Sequence, residues 1–296
     1  MRLPTIKQLQ YFLALTETGH FGRAADRCFV SQSAFSNAIQ ELEATLSAQL
    51  VDRTNRNVTI SAKGQEVAVQ ARLVVNDVES LVETARGNDR PLAGELRLGV
   101  IPTIAPFMLP GALPKLRKSY PDLRLLLAED QTDRIVRRLM DGELDVLLLA
   151  LPWQMQGVEE MPLFRDPFCL ACREGTKRVN PKNYRYNRLD SDSILLLEDG
   201  HCLREHALAA CKLRDTEKVR RFGASSLLTL IEMVDADLGI TFLPEMARGS
   251  ALLRNTRVRL SPLDEQSYRT IGLAWRKGSR QADEFRLLGE FLRDNA

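Results

Sequence analysis

The sequence predicts an α/β protein in three parts: an all-α head that carries a small β wing, a long connecting helix, and a two-lobed α/β domain. Three observations carry that prediction. Apolar residues recur at helical spacing up to about Thr45, a Val/Ala stripe runs at spacings of three and four from Val67 to Ala85, and from Glu95 strands alternate with helices. The parts divide as 1–62, 63–90 and 91–296, with lobe I about 91–165 and 270–296 and lobe II about 166–269. At 296 residues and 44% hydrophobic, the chain has the length and composition to bury real cores.

The head begins with Leu9, Phe12, Leu13 and Thr16 on one helical face; Phe21, Ala24, Ala25 and Cys28 repeat the spacing. Phe21 to Cys28 reads as a short helix, Phe29-Val30 as a turn bearing an apolar plug, and Ser31 as the N-cap of a second helix reaching about Leu46. Ala24-Ala25 permits close approach, and Val30, Phe35, Ile39 and Leu42 lie underneath, which makes a helix-turn-helix. Gln32, Ser33, Ser36 and Asn37 then face outward at the start of the second helix. Such small hydrogen-bonding side chains suit the major groove of double-stranded DNA. An ordinary helical hairpin with a polar face would show the same pattern.

LVDRTNRNVTISAKG follows as strand, turn at Thr54-Asn55 and strand, a wing carrying Arg53 and Arg56 beside the groove-facing helix. Solvated turn charge is the plainer account of those arginines. Across the whole chain 41 Lys plus Arg oppose 39 Asp plus Glu, a net charge of +2, which excludes a histone-like polycation and a polyanionic tail. Within the head Arg2, Lys7, Arg23, Arg27, Arg53 and Arg56 are nearly balanced by Glu17, Asp26, Glu41, Glu43 and Asp52. Binding of one head to DNA is therefore weak and salt-sensitive, and useful affinity needs more than one subunit.

Val67, Ala71, Val74, Val78, Leu81 and Ala85 supply the means, as an a/d seam on a helix from Lys63 to Arg86. One amphipathic helix packed on its own domain is the alternative. Gly87 to Pro91 stops the helix as a hinge.

Beyond the hinge, ELRLGVIPT, DLRLLLAE and DVLLLALP read as strands separated by two helices, a parallel sheet with right-handed crossovers. Ligands of such sheets bind at strand carboxyl ends, where Thr103 and Thr132 fall, although either taken alone is more often just a helix N-cap. Lobe II takes PFCLACRE as a strand, ILLLEDGHCLREHALAACKL as strand, turn and helix, and then the strands GITFLPEMA and RTIGLAWRKG; Ala282 to Arg293 is a closing helix. No phosphate-binding glycine loop, GxSxG or HExxH occurs, so enzymes with a short linear signature are unsupported. The longest apolar run, Val146 to Trp153, is too short to span a bilayer, and YFLAL near the start is too short for a signal-peptide core, so the expectation is a cytoplasmic protein without a membrane partner.

In that compartment Cys28, Cys169, Cys172, Cys202 and Cys211 rest as thiols. Cys202 falls at a helix start, with His201 before it and Arg204 and His206 near. Helix amides, Arg204 and a protonated histidine would each lower its pKa, giving the surroundings of a reactive thiolate. If helix continues to Cys211, the two α-carbons stand about 13.5 Å apart, against about 7 Å tolerated by a disulfide. Closing that pair therefore unravels the helix. Buried structural cysteines remain an open alternative. A metal site drawing on Cys202, His206, Cys169 and Cys172 is a weaker one, because a strand points Cys169 and Cys172 to opposite faces, so no metal or other cofactor is expected.

Together these parts resemble the LysR-type transcriptional regulators. FLALTETGHFGRAADRCFVSQSAFSNAIQELEATLSAQLVDRTNRNVTISAKG is similar to their winged helix-turn-helix, and the remainder to their periplasmic-binding-protein-like effector domain. More narrowly, LRLGVIPTIAPFMLP, LEDGHCLREHALAAC, GITFLP and RTIGLAWRKG resemble the hydrogen-peroxide-sensing, OxyR-like branch. The resemblance implies that Cys202 is the peroxide-reactive thiol and Cys211 its reversible disulfide partner. It implies a polar pocket with Thr103, Thr132, His201 and Arg269, and DNA-facing positions at Gln32, Ser33, Ser36, Arg53 and Arg56. Dimers of dimers, transcription activation through RNA polymerase when oxidised, and re-reduction by glutaredoxin or thioredoxin are implied as well. One departure stands out: MVDADLGITFLP keeps only the second of two close glycines that relatives often carry there, leaving the consequence of Asp237-Leu238 for the effector-domain interface open.

The sequence thus predicts a peroxide-responsive, DNA-binding activator that consumes one peroxide per switching event and is not a turnover enzyme. The rivals are a LysR-type regulator that binds a small organic metabolite between the lobes, with structural cysteines, and a thiol peroxidase.

Overall fold

The computed structural model describes residues 3–53, 58–85, 91–210, 218–220, 223–263 and 266–295. Two compact units emerge, 1–89 with 140–143 and 90–139 with 144–296.

Three helices make the head: α1 (Ile6–Thr18), α2 (Phe21–Arg27) and α3 (Gln32–Leu46). Each start has a side-chain cap for its orphan amides. Thr5 and Gln8 form a capping box on α1, His20 Nδ1 accepts from Gly22 and Arg23 at the start of α2, and Ser31 accepts from Ala34 on α3. Phe12, Leu15, Ala24, Phe35, Ile39 and Leu42 fill the centre, and Tyr11 stacks on Phe35 at 5.2 Å. The turn between α2 and α3 differs from expectation. Val30 packs on the core, but Phe29 takes a positive φ of 55° and is 95% exposed, so the plug is Val30 alone. The wing is present as β1 (Val51–Arg53) paired antiparallel with β2 (Val58–Ile60); its expected turn, with Arg56, lies outside the described residues.

Next comes α4 (Ala62–Ala85). The expected seam does not behave as one stripe. Val67 and Ala71, with Ala68 and Val75, pack on the head's own core, whereas Val74 and Leu81 are exposed. The Ala85 side chain lies outside what is described. The early half of the helix is therefore amphipathic toward its own domain, and only the later half leaves apolar side chains unpaired within the chain.

In the second unit β3 (Gly94–Val100), α5 (Ala105–Ser119), β4 (Leu123–Glu129), α6 (Thr132–Met140) and β5 (Val146–Leu151) follow the expected order. β3 lies parallel to both β4 and β5. These three strands are parallel as expected, and the sheet as a whole is mixed because the later strands join antiparallel. β6 (Val158–Arg173), β7 (Thr241–Pro244), β8 (Val258–Pro262) and β9 (Tyr268–Arg276) join antiparallel, in the order β4-β3-β5-β9-β6-β7 with β8 also on β6. The reason is β6: a 16-residue strand pairs β9 with its first half and β7 and β8 with its second, and so crosses both lobes. Only the second half has a continuous apolar signature, which is why PFCLACRE alone reads as a strand. Between β6 and β7 lie α7 (Cys202–Ala210) and α8 (Leu227–Asp235); α9 (Ala282–Asp294) closes the chain. Where a full strand was expected before α7, Ile194 and Leu197 make isolated parallel bridges.

Two cores result. One gathers Leu98, Leu148, Trp275 and Phe285, the other Phe168, Leu196, Ile231 and Phe242. Cys202 belongs to the first, while Leu203 and Ala207 of the same helix belong to the second, so α7 straddles the lobes.

Candidate functional site

Gly200 directs the chain into α7. Its φ of 91° favours glycine, and a Cβ there would meet Gln131 Oε1 at 3.0 Å. The turn delivers His201 and then Cys202 as the first residue of the helix, both buried. Facing them, β4 ends before Thr132, the first residue of α6, and β3 ends before Thr103. Both threonines are 1% exposed.

Arg269 organises the floor. It stands on β9 in register with Asp166 on β6, and their ion pair at 3.0 Å is sealed, the side chains 0% and 2% exposed. Nη1 donates to Thr103 Oγ1 at 3.0 Å, Nη2 to the Thr103 carbonyl at 2.9 Å and to Met246 Sδ at 3.5 Å, while the Met246 amide donates to Asp166. A buried guanidinium needs this many acceptors, because stripping its hydration without them costs several kcal/mol. Burial pushes the Asp166 carboxyl up, and Arg269 and the Met246 amide pull it back.

Cys202 does not sit as the sequence suggested. Burial dominates and raises its pKa, although the Thr132 hydroxyl, the Arg269 charge and a backbone hydrogen bond with Ala150 pull it down. The resting group is the thiol. Arg204 is not among these supports: its guanidinium pairs with Asp199 at 2.9 Å and donates to the Leu197 carbonyl. Nor is His201 a cation, since burial lowers its pKa while the Ser225 backbone opposes. The Thr132 hydroxyl lies close enough to favour the thiolate but makes no full hydrogen bond, and its Oγ1 is buried without a partner among the described residues. Cys211 lies outside the described residues.

One helical turn beyond Cys202 is His206, which the sequence offered as a neighbour of the thiol and as a ligand of the weaker metal-site alternative. Its Nε2 meets the Pro152 carbonyl at 3.3 Å, and its Nδ1 is buried with no partner among the described residues. Burial, helped by the Arg269 charge, keeps the ring neutral. His206, Asp133, Trp153, Glu205, Tyr268 and Arg269 share the walls of a cleft of about 950 Å³. Asp166 and Met246 were missed as well, because a cross-strand register leaves no mark in a one-dimensional pattern. Among the described residues no group of three or more His, Cys, Asp or Glu is placed to hold a metal. Cys169 and Cys172 are both buried, but only Cys172 lies in the lobe core; Cys169 donates to Glu245 at 2.8 Å.

On the head, Gln32, Ser33 and Asn37 are exposed on the first turns of α3 and Ser36 is half-buried. Ser33 lies within 3.2 Å of the capping Ser31 hydroxyl. Arg53 ends β1, its side chain outside what is described.

Comparison with known proteins agrees with this two-part architecture. Residues 6–65 match the family described as bacterial regulatory helix-turn-helix protein, lysR family, and residues 89–296 match the LysR substrate binding domain. The HTH-type transcriptional regulator EstR of Acinetobacter baylyi is 39% identical, covering 98% of this chain and 97% of its own. The DNA-binding transcriptional dual regulator OxyR of Escherichia coli is 38% identical, over 97% and 94%. Among solved structures, a full-length OxyR variant from Pseudomonas aeruginosa superposes with a TM-score of 0.82 at 30% identity, covering 99% of this chain and 96% of that one. The reduced regulatory domain of OxyR2 from Vibrio vulnificus gives 0.67 at 41% identity, over 70% and 98%. A helix-turn-helix head, a long helix and a two-lobed domain, matched along nearly their whole length, make this chain a LysR-type transcriptional regulator homologous to OxyR.

Proposed function

We propose that the chain is a cytoplasmic, peroxide-responsive activator of transcription, switched by a reversible disulfide between Cys202 and Cys211. The observation that carries this reading is the cluster of buried side chains at the start of α7. A buried thiol faces an unpaired Thr132 hydroxyl, with Arg269, Asp166 and Thr103 forming a rigid polar floor. Hydrogen peroxide is small and both donates and accepts hydrogen bonds, which suits these polar side chains. The relatives named as OxyR, and a probable hydrogen peroxide-inducible genes activator of Streptomyces viridosporus at 38% identity, support the same reading.

Chain geometry supports a switch of this kind. α7 is helical from Cys202 to Ala210, so its end stands about 12 Å from Cys202 at 1.5 Å per residue. A disulfide spans at most about 7 Å between α-carbons, so bonding Cys202 to the residue directly after α7 requires the helix to unwind. Because α7 contributes to both cores, unwinding alters both lobes. Gln32, Ser33, Ser36, Arg53 and Arg56 contact promoter DNA, the exposed part of α4 pairs subunits within a dimer of dimers, and glutaredoxin or thioredoxin restores the thiols.

Cys202→Ser is expected to abolish the peroxide-dependent change in promoter contact while DNA binding persists, and intact-protein mass spectrometry after stoichiometric peroxide should show loss of two hydrogens across the 202 to 211 pair. An unchanged response in the variant, or no mass loss in the native chain, contradicts the reading. The cleft of about 950 Å³ favours one alternative, a metabolite-binding LysR-type regulator, which predicts just that absence of mass loss.

A further inference from the structure

A buried thiol whose pKa is raised cannot attack peroxide until its proton has somewhere to go. Near Cys202, His206 carries a ring nitrogen that is buried without a partner among the described residues. His206 lies one turn along α7, on the same helix face, which sets the two Cβ atoms about 6 Å apart. Both residues face the end of β5: Cys202 bonds the Ala150 backbone, and His206 Nε2 donates to the Pro152 carbonyl two residues on. Because Nε2 carries the hydrogen, Nδ1 is the bare acceptor, and it is buried with no partner among the described residues. The charged groups that share the cleft with the ring are Asp133 of α6, Glu205 of α7 and Arg269 of β9.

We propose that His206 Nδ1 is the catalytic acceptor of the Cys202 thiol proton during reaction with hydrogen peroxide. The inference rests on the peroxide-sensing reading above. As the S–H proton passes to Nδ1, the sulfur lone pair attacks one peroxide oxygen. The S–O bond forms and the O–O bond breaks. The departing hydroxide recovers the proton from Nδ1 and leaves as water. Sulfur is oxidised by two electrons to the sulfenic acid, and peroxide is reduced to one water.

The pH profile separates this role from a structural one. Above a low histidine pKa the base is available at every pH, so the native rate is nearly flat through the neutral range and falls only when His206 protonates in acid. Without the base, the rate follows the thiolate fraction and climbs about tenfold per pH unit. The experiment is rapid-quench alkylation and mass spectrometry of Cys202 in the full-length reduced chain, with hydrogen peroxide, for native protein and His206→Gln. The glutamine variant is expected to lose on the order of 10²-fold in rate near neutrality and to acquire the rising slope. His206→Ala with added imidazole covers the case of a misfolded glutamine variant, and recovery of rate and flat profile is expected. A glutamine variant within about twofold of native with a flat profile, or no rescue of a folded alanine variant, overturns the role of His206 and leaves the sensor reading standing. A native Cys202 that peroxide does not oxidise overturns both.

Discussion

Cys202 and Cys169 are both buried, yet their neighbours act on them in opposite senses. Around Cys202 the Thr132 hydroxyl, Arg269 and the Ala150 backbone each favour the thiolate and partly offset burial. Around Cys169 the Glu245 carboxylate accepts the S–H and repels a thiolate, which with burial pushes the pKa up to about 12, against the opposing pull of Arg248. An acceptor bonded to the neutral form stabilises that form. Cys169 in the folded chain should therefore resist iodoacetamide well above the ordinary thiol range, with a labelling midpoint near about 12, and Glu245→Gln should bring that midpoint down. The sign for stability follows: the folded pKa lies above the unfolded value of 9.0, so the contribution is complete below about pH 9 and is lost as pH rises toward about 12. Labelling of native Cys169 with an ordinary midpoint would contradict the Glu245 contact.

At the scale of elements, the turn after α8 shows how a residue with a side chain is held in a left-handed conformation. Asp237 occupies a left-handed conformation, φ 58°, that glycine adopts at less cost. Its side chain offsets that cost by accepting from Thr176 at 2.7 Å and pairing with Arg178, whose Nε also donates to the Asp237 carbonyl. Gly239 has no such latitude, since a Cβ would stand 2.6 Å from the Ser193 carbonyl. Asp237→Ala keeps the strained backbone and removes the side-chain contacts, so a loss of about 1–2 kcal/mol is expected in urea unfolding. An alanine variant as stable as native would show that those contacts contribute nothing.

For the whole molecule, weak charge and subunit pairing belong together. With a net charge of only +2, the proposed promoter binding rests on several heads held at fixed spacing rather than on bulk charge. Val74, Leu81 and Val82 on α4 are 43%, 56% and 40% exposed, apolar side chains left open to solvent. Leu81→Lys removes roughly 2 kcal/mol of burial per subunit, two subunits per dimer, so self-association should weaken by roughly 10²- to 10³-fold in analytical ultracentrifugation. DNA affinity should fall in parallel. Unchanged association would show that this part of α4 does not pair.

The sequence by itself determined the parts in which local chemistry decides the outcome. Ser31 as a cap, Phe35, Ile39 and Leu42 as a buried face, the strand-helix alternation from Glu95 and Cys202 as the first residue of α7 all follow from spacing, because each depends on residues three or four positions away. Tertiary structure decided whatever depends on partners distant in the chain. It split the α4 stripe between the head core and solvent, turned the sheet mixed through one long β6, and set Asp166 opposite Arg269 across 103 residues. It also reversed the direction of the Cys202 pKa, because desolvation is a property of everything packed around a group. The place of Cys202 at the start of α7 was legible in the sequence; the packing that governs its proton was not.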